Sequence, residues 1–416
     1  MMTETSADAM WRRERYSTSL ALTPSIRTVS VIGAGVMGRA IAACSVRKGF
    51  RVQIFDSNPD AAANAVREFT SSSPSEHTRG LHLASPSHSD SLTVATSFRE
   101  LADADLVIEA VPENPAIKCQ VLLQLAPALN GQTIVASNTS SIPLSELIQT
   151  IPVPESFCGL HFCHPVAERP LVEVITTDAT SAETCERAVA FAHAIGKSPV
   201  IVRDGPGFVL NRILSPYLTE SMELALEGVD IELLDQAAHE FGMPCGPLRL
   251  IDEFGIDVCL AVGATLLRAY PDRFIPSELL IALYKTGRRG SKSGGGFYDD
   301  DDQIAPCVRD IISKRSRPSH QTTIDEIHQR LFLPMFLEAT RVLEEQAVES
   351  PETIDRILQD GLGMTAEYRG LFGWAEAQGS GTLLSWLSTL QSLGDRYATT
   401  PLLLAMIDKG SLRKAC

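Results

Sequence analysis

Between Arg27 and about Arg203, short runs of β-branched and aliphatic residues alternate with segments whose apolar positions recur at helical spacing. The runs predict strands at Thr28–Ile32, Val52–Phe55, Leu106–Ala110, Thr133–Ala136, Gly159–Phe162, Leu171–Ile175 and Val200–Val202. Strands that alternate with helices imply a mostly parallel sheet covered by helices, an α/β fold. The stretch between Asp60 and Leu92 interrupts this pattern. Its second half is rich in Ser, His and Pro and reads as an exposed, irregular excursion. After Pro206 the strand signals stop and long amphipathic patterns run to about Tyr284. A Gly-rich break from Thr286 to Asp302 follows, with basic clusters ahead of an acidic run, and it reads as a linker.

The remaining helical sequence echoes the first. Gln329-Arg330, Pro334 and Glu338 repeat Asn211-Arg212, Pro216 and Glu220 at one constant offset. After small insertions, Asp355 answers Asp235, and Gly363-Met364 answers Gly242-Met243. The expected organisation is a loose tail over residues 1–26, a nucleotide-binding α/β domain over 27–205, a helical domain over 206–300, and a diverged second copy over 301–416.

Composition narrows the function classes. At 416 residues the chain is long enough for two or three cores. None of its apolar runs reaches the roughly 18 residues of a membrane span. A formal net charge of -15 disfavours nucleic acid as a partner. Nine cysteines without framework spacing fit a reducing cytoplasm. The tail mixes Glu4, Asp8 and Glu14 with Arg12, Arg13 and Arg15, which suits neither a secretory signal nor a typical mitochondrial address.

The segment VSVIGAGVMGRAIA sets Gly33, Gly35 and Gly38 in G-x-G-x-x-G register after a strand and at the mouth of a helix. The first glycine permits the tight turn, the second opens the backbone to a pyrophosphate, and the third lets helix and strand pack closely. The helix N-terminus then offers N–H groups to the phosphates. The next strand ends at Asp56, where a carboxylate accepts hydrogen bonds from an adenosine ribose and repels a 2'-phosphate, so NAD is expected over NADP.

At this point the chain resembles the 3-hydroxyacyl-CoA dehydrogenase family, in particular the dehydrogenase part of bifunctional fatty-acid oxidation proteins. The likeness rests on IGAGVMG, IEAVPEN, ASNTSSIPLSEL, GLHFCHPV, LVEVI, DGPGFVLNR, FGMPCGPLRLIDEFGIDV and SKSGGGFY, in that order over most of the chain. It implies a Rossmann-like NAD-binding domain followed by two related all-helical domains of the 6-phosphogluconate-dehydrogenase-like C-terminal kind. No hydratase activity is expected, because the chain starts shortly before its first strand.

The implied reaction is NAD-dependent oxidation of an L-3-hydroxyacyl-CoA thioester in fatty-acid β-oxidation, with the substrate held between the first two domains. His161 matches the general base, a role suited to an imidazole that titrates near neutral pH. Glu173 would orient that ring and stabilise the imidazolium. Ser140 matches the serine that bonds the substrate oxygen, and Asn211 its amide partner. Val36, Met37 and Asn138 join the glycines and Asp56 as cofactor residues. Glu113 and Lys118 match residues near the nicotinamide, or else form a solvated helix start.

Three departures from the family pattern stand out. His164 replaces the usual Asn three residues after the base, the stretch after Asp60 is shorter than the family's helical arm, and Gln329 takes the place of Asn211 in the second copy. The run His161-Phe162-Cys163-His164 raises a zinc site, but strand alternation would turn His164 away from the other two, and no metal is expected. Two rival readings remain: a dehydrogenase of a small hydroxy acid or sugar acid, and an NAD-binding protein without turnover. The duplicated helical unit leaves monomer and homodimer both open.

Overall fold

A computed structural model describes residues 26–71, 91–101, 103–317, 322–365 and 370–413. The Ser- and His-rich excursion (72–90) and the tail up to residue 25 lie outside the described residues. The chain divides into two compact units, one of residues 1–139 and 143–204, the other of 140–142 and 205–416.

Among its described residues the first unit is built on eight strands: β1 (Thr28–Ile32), β2 (Arg51–Phe55), β3 (Leu92–Val94), β4 (Leu106–Glu109), β5 (Ile134–Ser137), β6 (Phe157–Phe162), β7 (Leu171–Thr176) and β8 (Ser198–Arg203). They lie in the order β3-β2-β1-β4-β5-β6-β7-β8. The first six run parallel, β7 is antiparallel to β6, and β8 is parallel to β7. Strands β4 to β7 are buried along their whole length. Their apolar runs are therefore unbroken, as expected where both sheet faces are covered. Helices α1 (Val36–Arg47), α2 (Pro59–Ser71), α3 (Pro115–Leu125) and α4 (Ala182–Ala194) connect the strands. A core of Val29, Val31, Ile41, Val46, Ile54, Ile108, Leu160 and Phe191 joins sheet to helices.

The second unit is helical. Its two longest helices, α5 (Leu210–Leu226) and α6 (Ile324–Glu344), carry Pro216 and Pro334 in their interiors. They are tied by ion pairs in which each half supplies the same residues to the other. Arg212 Nε bonds Glu338 Oε1 at 2.5 Å, and the two terminal nitrogens of Arg212 take both oxygens of Glu345 at 2.6 and 2.7 Å. Reciprocally, Arg330 Nε bonds Glu220 Oε2 at 2.8 Å, and its fork takes Glu227 at 2.8 and 3.1 Å.

The Gly-rich segment from Thr286 to Asp302, expected as a linker, is instead folded into this unit. Phe297 and Tyr298 are buried, and their backbone N–H groups donate to the two carboxylate oxygens of Asp252. Arg288 donates to the carbonyls of Gly296 and Tyr298. The glycines mark close backbone approach: a Cβ on Gly290 would run into the Asp252 carbonyl.

Candidate active site

The turn from β1 into α1 carries the glycine motif. Gly33 has φ +108°, and a Cβ there would meet the Ala110 carbonyl oxygen at 2.5 Å. A Cβ on Gly38 would collide with the Gly33 carbonyl, which explains why the first turn of α1 packs so close to the strand. Gly35 differs from both, since a Cβ there would meet no atom within 4 Å. It is the N-cap of α1, no side chain caps that helix, and no acidic residue stands in its first turn. The helix end thus presents N–H groups and a positive dipole toward open space, and Val36 beside them is exposed. Asp56, one residue past β2, accepts from Ala34 N at 2.8 Å and from Asn58 N at 2.8 Å. An anchored carboxylate beside an uncapped glycine turn fits a dinucleotide with a free ribose 2'-hydroxyl.

The loop after β4 forms the adjoining wall. Asn114 caps α3 by accepting from Ala116 N and Ile117 N, and Pro115 opens the helix. Lys118, one turn in, does not belong to a solvated helix start: its side chain is 1% exposed. It donates to Glu109 Oε1 at 2.9 Å and to the Val111 carbonyl at 3.2 Å, and stands 3.6 Å from Glu113 Oε2. Glu113 Oε1 in turn accepts from Thr139 Oγ1 at 2.8 Å. Glu109 was not singled out from the sequence, although a lone carboxylate closing the apolar run DLVIEA was the available signal.

His161 and Glu173 stand opposite one another in the antiparallel register of β6 and β7. Nδ1 of the imidazole lies 2.6 Å from Glu173 Oε2, and both side chains are buried. Glu173 is fully buried, where a carboxylate needs such a partner. Phe162 N donates to Asn138 Oδ1 at 3.0 Å, which ties the end of β6 to the residue after β5. The strand ends at Phe162, so the alternation expected over Cys163 and His164 does not reach them. Cys163 is buried and His164 partly exposed in the turn that follows. Lys197, unremarked in the sequence, holds the next part of that turn by donating to the carbonyls of Val166 and Arg169. Burial lowers its ammonium pKa.

Ser140 and Asn211 both belong to the second unit. They meet through the backbone, with Asn211 Nδ2 donating to the Ser140 carbonyl at 2.8 Å. Asn211 stands in the first turn of α5, where Arg212 already engages α6. Nearby, Gly207 N donates to the Ser141 carbonyl at 3.0 Å.

Comparison with known proteins accords with these features. The family model of the 3-hydroxyacyl-CoA dehydrogenase NAD binding domain matches residues 28–205. That of the 3-hydroxyacyl-CoA dehydrogenase C-terminal domain matches twice, at 207–300 and 327–415. The 3-hydroxybutyryl-CoA dehydrogenase of Escherichia coli K12 is 27% identical and matches 93% of this chain and all of its own, with a TM-score of 0.76. The (S)-3-hydroxybutyryl-CoA dehydrogenase of Ralstonia eutropha is 33% identical over 66% of this chain and 99% of its own, at a TM-score of 0.59. An NAD+-dependent dehydrogenase of a formyl-hydroxy-methylpyridine carboxylic acid is 31% identical over 70% of this chain and 97% of its own, at 0.54.

Proposed function

The chain belongs to the 3-hydroxyacyl-CoA dehydrogenase family and carries its NAD-binding domain, and from that premise we propose that it oxidises an L-3-hydroxyacyl-CoA to the 3-oxoacyl-CoA, as in fatty-acid β-oxidation. The single observation that carries the reading is the buried His161–Glu173 pair, a base and its orienting acid at 2.6 Å.

Bound NAD supplies the hydride acceptor for C3 of the substrate. His161 takes the proton of the 3-hydroxyl. Its Nδ1 is held by Glu173, so the transfer falls to Nε2. Glu173 then offsets the positive charge that develops on the ring. The C3–H bond breaks with its electron pair, the O–H bond breaks to the imidazole, and a carbonyl results. Ser140 and Asn211 are assigned the substrate's oxygen functions. Gly33, Gly35, Val36, Met37 and Gly38 receive the pyrophosphate, Asp56 the ribose, and Glu113, Lys118 and Asn138 the nicotinamide side.

A His161→Ala variant that keeps NADH affinity but loses nearly all turnover is the expected result, and near-full turnover would overturn the assignment. A second reading, oxidation of a small hydroxy acid, draws on the pyridine carboxylic acid dehydrogenase among the similar structures, whose named substrate is a small acid without CoA. Free CoA separates the two, since it competes only where a CoA portion is bound.

A further inference from the structure

We propose that Glu109 is a positioning residue of the nucleotide site, whose carboxylate sets Lys118 and the Val111–Glu113 turn against the dinucleotide. Glu109 is the last residue of β4 and is fully buried. In the strand order β2-β1-β4, the carboxyl ends of β1 and β4 bound the crevice where the order of connection reverses, and ligands of open α/β sheets bind there. The turn that follows Glu109 touches the glycine motif directly. Ala110 N donates to the Ile32 carbonyl at 2.8 Å, and the space a Gly33 Cβ would need is taken by the Ala110 oxygen and Val111 N.

Both oxygens of Glu109 are committed. Oε1 accepts from Lys118 Nζ at 2.9 Å and Val111 N at 2.8 Å, and Oε2 accepts from Ser137 Oγ at 2.6 Å. Ser137 is the residue paired with Glu109 in the β4–β5 register. One carboxylate therefore fixes the helix-borne ammonium, the turn beside the glycines, and the end of the next strand.

Stability alone does not account for the arrangement. A buried ion pair recovers little more than the cost of desolvating it, and an apolar pair of similar volume often serves a core better. Here one ammonium is buried against two carboxylates, Glu109 and Glu113, at the rim of the ligand crevice. What sets this cluster apart from a core ion pair is its place, at the carboxyl end of β4 and against the turn that touches the glycine motif. Lys118 is the group that Glu109 holds, and through it and Val111 N the carboxylate fixes the turn.

The inference rests on the NAD-binding reading and not on the choice of substrate, so its deciding measurement is nucleotide binding without substrate. NADH titrations by fluorescence are run on the wild type, Glu109→Gln, Lys118→Met and the double variant, each shown folded by its melting curve. Glu109→Gln is expected to weaken NADH binding about tenfold, and the double variant to bind no more weakly than Lys118→Met alone, because coupled residues are not additive. The KM for acetoacetyl-CoA should stay within about twofold of wild type, a split that a general loss of structure does not produce. A folded Glu109→Gln with wild-type NADH affinity, or losses that multiply in the double variant, would overturn the proposal. Should a single variant fail to fold, Ser137→Ala frees one carboxylate oxygen: about threefold weaker binding supports the proposal and unchanged affinity overturns it. Wild-type protein that binds NADH but reduces no thioester would sink the substrate reading and leave this one standing.

Discussion

Glu173 faces His161 across an antiparallel strand pair, with 2.6 Å between Oε2 and Nδ1. The neighbouring strands run parallel, so the reversal at β7 is what brings acid and base into register. A Glu173→Gln substitution keeps the shape but offers a neutral amide where the developing imidazolium needs a charge. The expected loss in kcat is on the order of 10²- to 10⁴-fold, at nearly unchanged NADH affinity. A kcat within threefold of wild type would remove Glu173 from the mechanism.

Two glycines of one motif should respond differently to the same substitution. Gly38→Ala drives a methyl group into the Gly33 carbonyl and is expected to destabilise the first unit by on the order of 3 kcal/mol. Gly35→Ala adds a methyl where the protein has open space, at a φ of -72° that alanine adopts readily. It should cost at most about 1 kcal/mol of stability as an altered N-cap, while NADH affinity falls at least about tenfold. Melting curves and NADH titrations on the two variants check the contrast.

The same contrast shows what could be read from the sequence. The glycine turn, the strand before it and Asp56 are local features, governed by backbone sterics within some 25 residues, and the chain spells them out. The seven anticipated strands exist, Thr28–Ile32 with the expected ends and the other six with shifted ones. Strand β3 went unrecognised, because a three-residue strand at a sheet edge carries almost no periodic signal. Tertiary facts were less legible. No periodicity distinguishes antiparallel β7 from its parallel neighbours, and Lys118 looks like any exposed lysine at a helix start until its burial beside Glu109 and Glu113 is seen. Glu109 was hidden for the same reason, since its three partners come from a turn, a helix and a strand. The repeat was visible, but its reciprocal ion pairs became apparent only when α5 and α6 were seen side by side.

Those pairs lead to a stability prediction. Glu220 is fully buried and receives Arg330 Nε, Arg396 Nε and the Tyr397 hydroxyl. Removing Arg330 leaves a buried carboxylate short of one cation, and Arg330→Met is expected to cost about 3 to 5 kcal/mol. Arg330→Met combined with Glu220→Gln should be less destabilising than Arg330→Met alone, as measured by urea unfolding. A double variant worse than the single one would contradict this account of the contact.

Asp355 gives the second unit a pH dependence. Burial outweighs its hydrogen bond from Phe372 N and its pairing with Arg413, and pushes the carboxyl pKa from 3.8 up to about 6. A carboxyl whose folded pKa exceeds its unfolded value binds more protons when folded. Its contribution is therefore most favourable below about pH 4 and is lost as pH rises to about 6, a change of about 3 kcal/mol. In Asp355→Asn that dependence should vanish, so the stability of the variant relative to wild type should rise between pH 4 and 7. A constant difference across that range, measured by urea unfolding, would contradict the assignment.

The most direct test of the proposed activity is NADH consumption by the purified protein at neutral pH, with acetoacetyl-CoA in one cuvette and free acetoacetate in another. Consumption with the thioester alone is the predicted result. Activity with neither, in a protein shown to bind NADH, or equal activity with both, would contradict the acyl-CoA dehydrogenase reading.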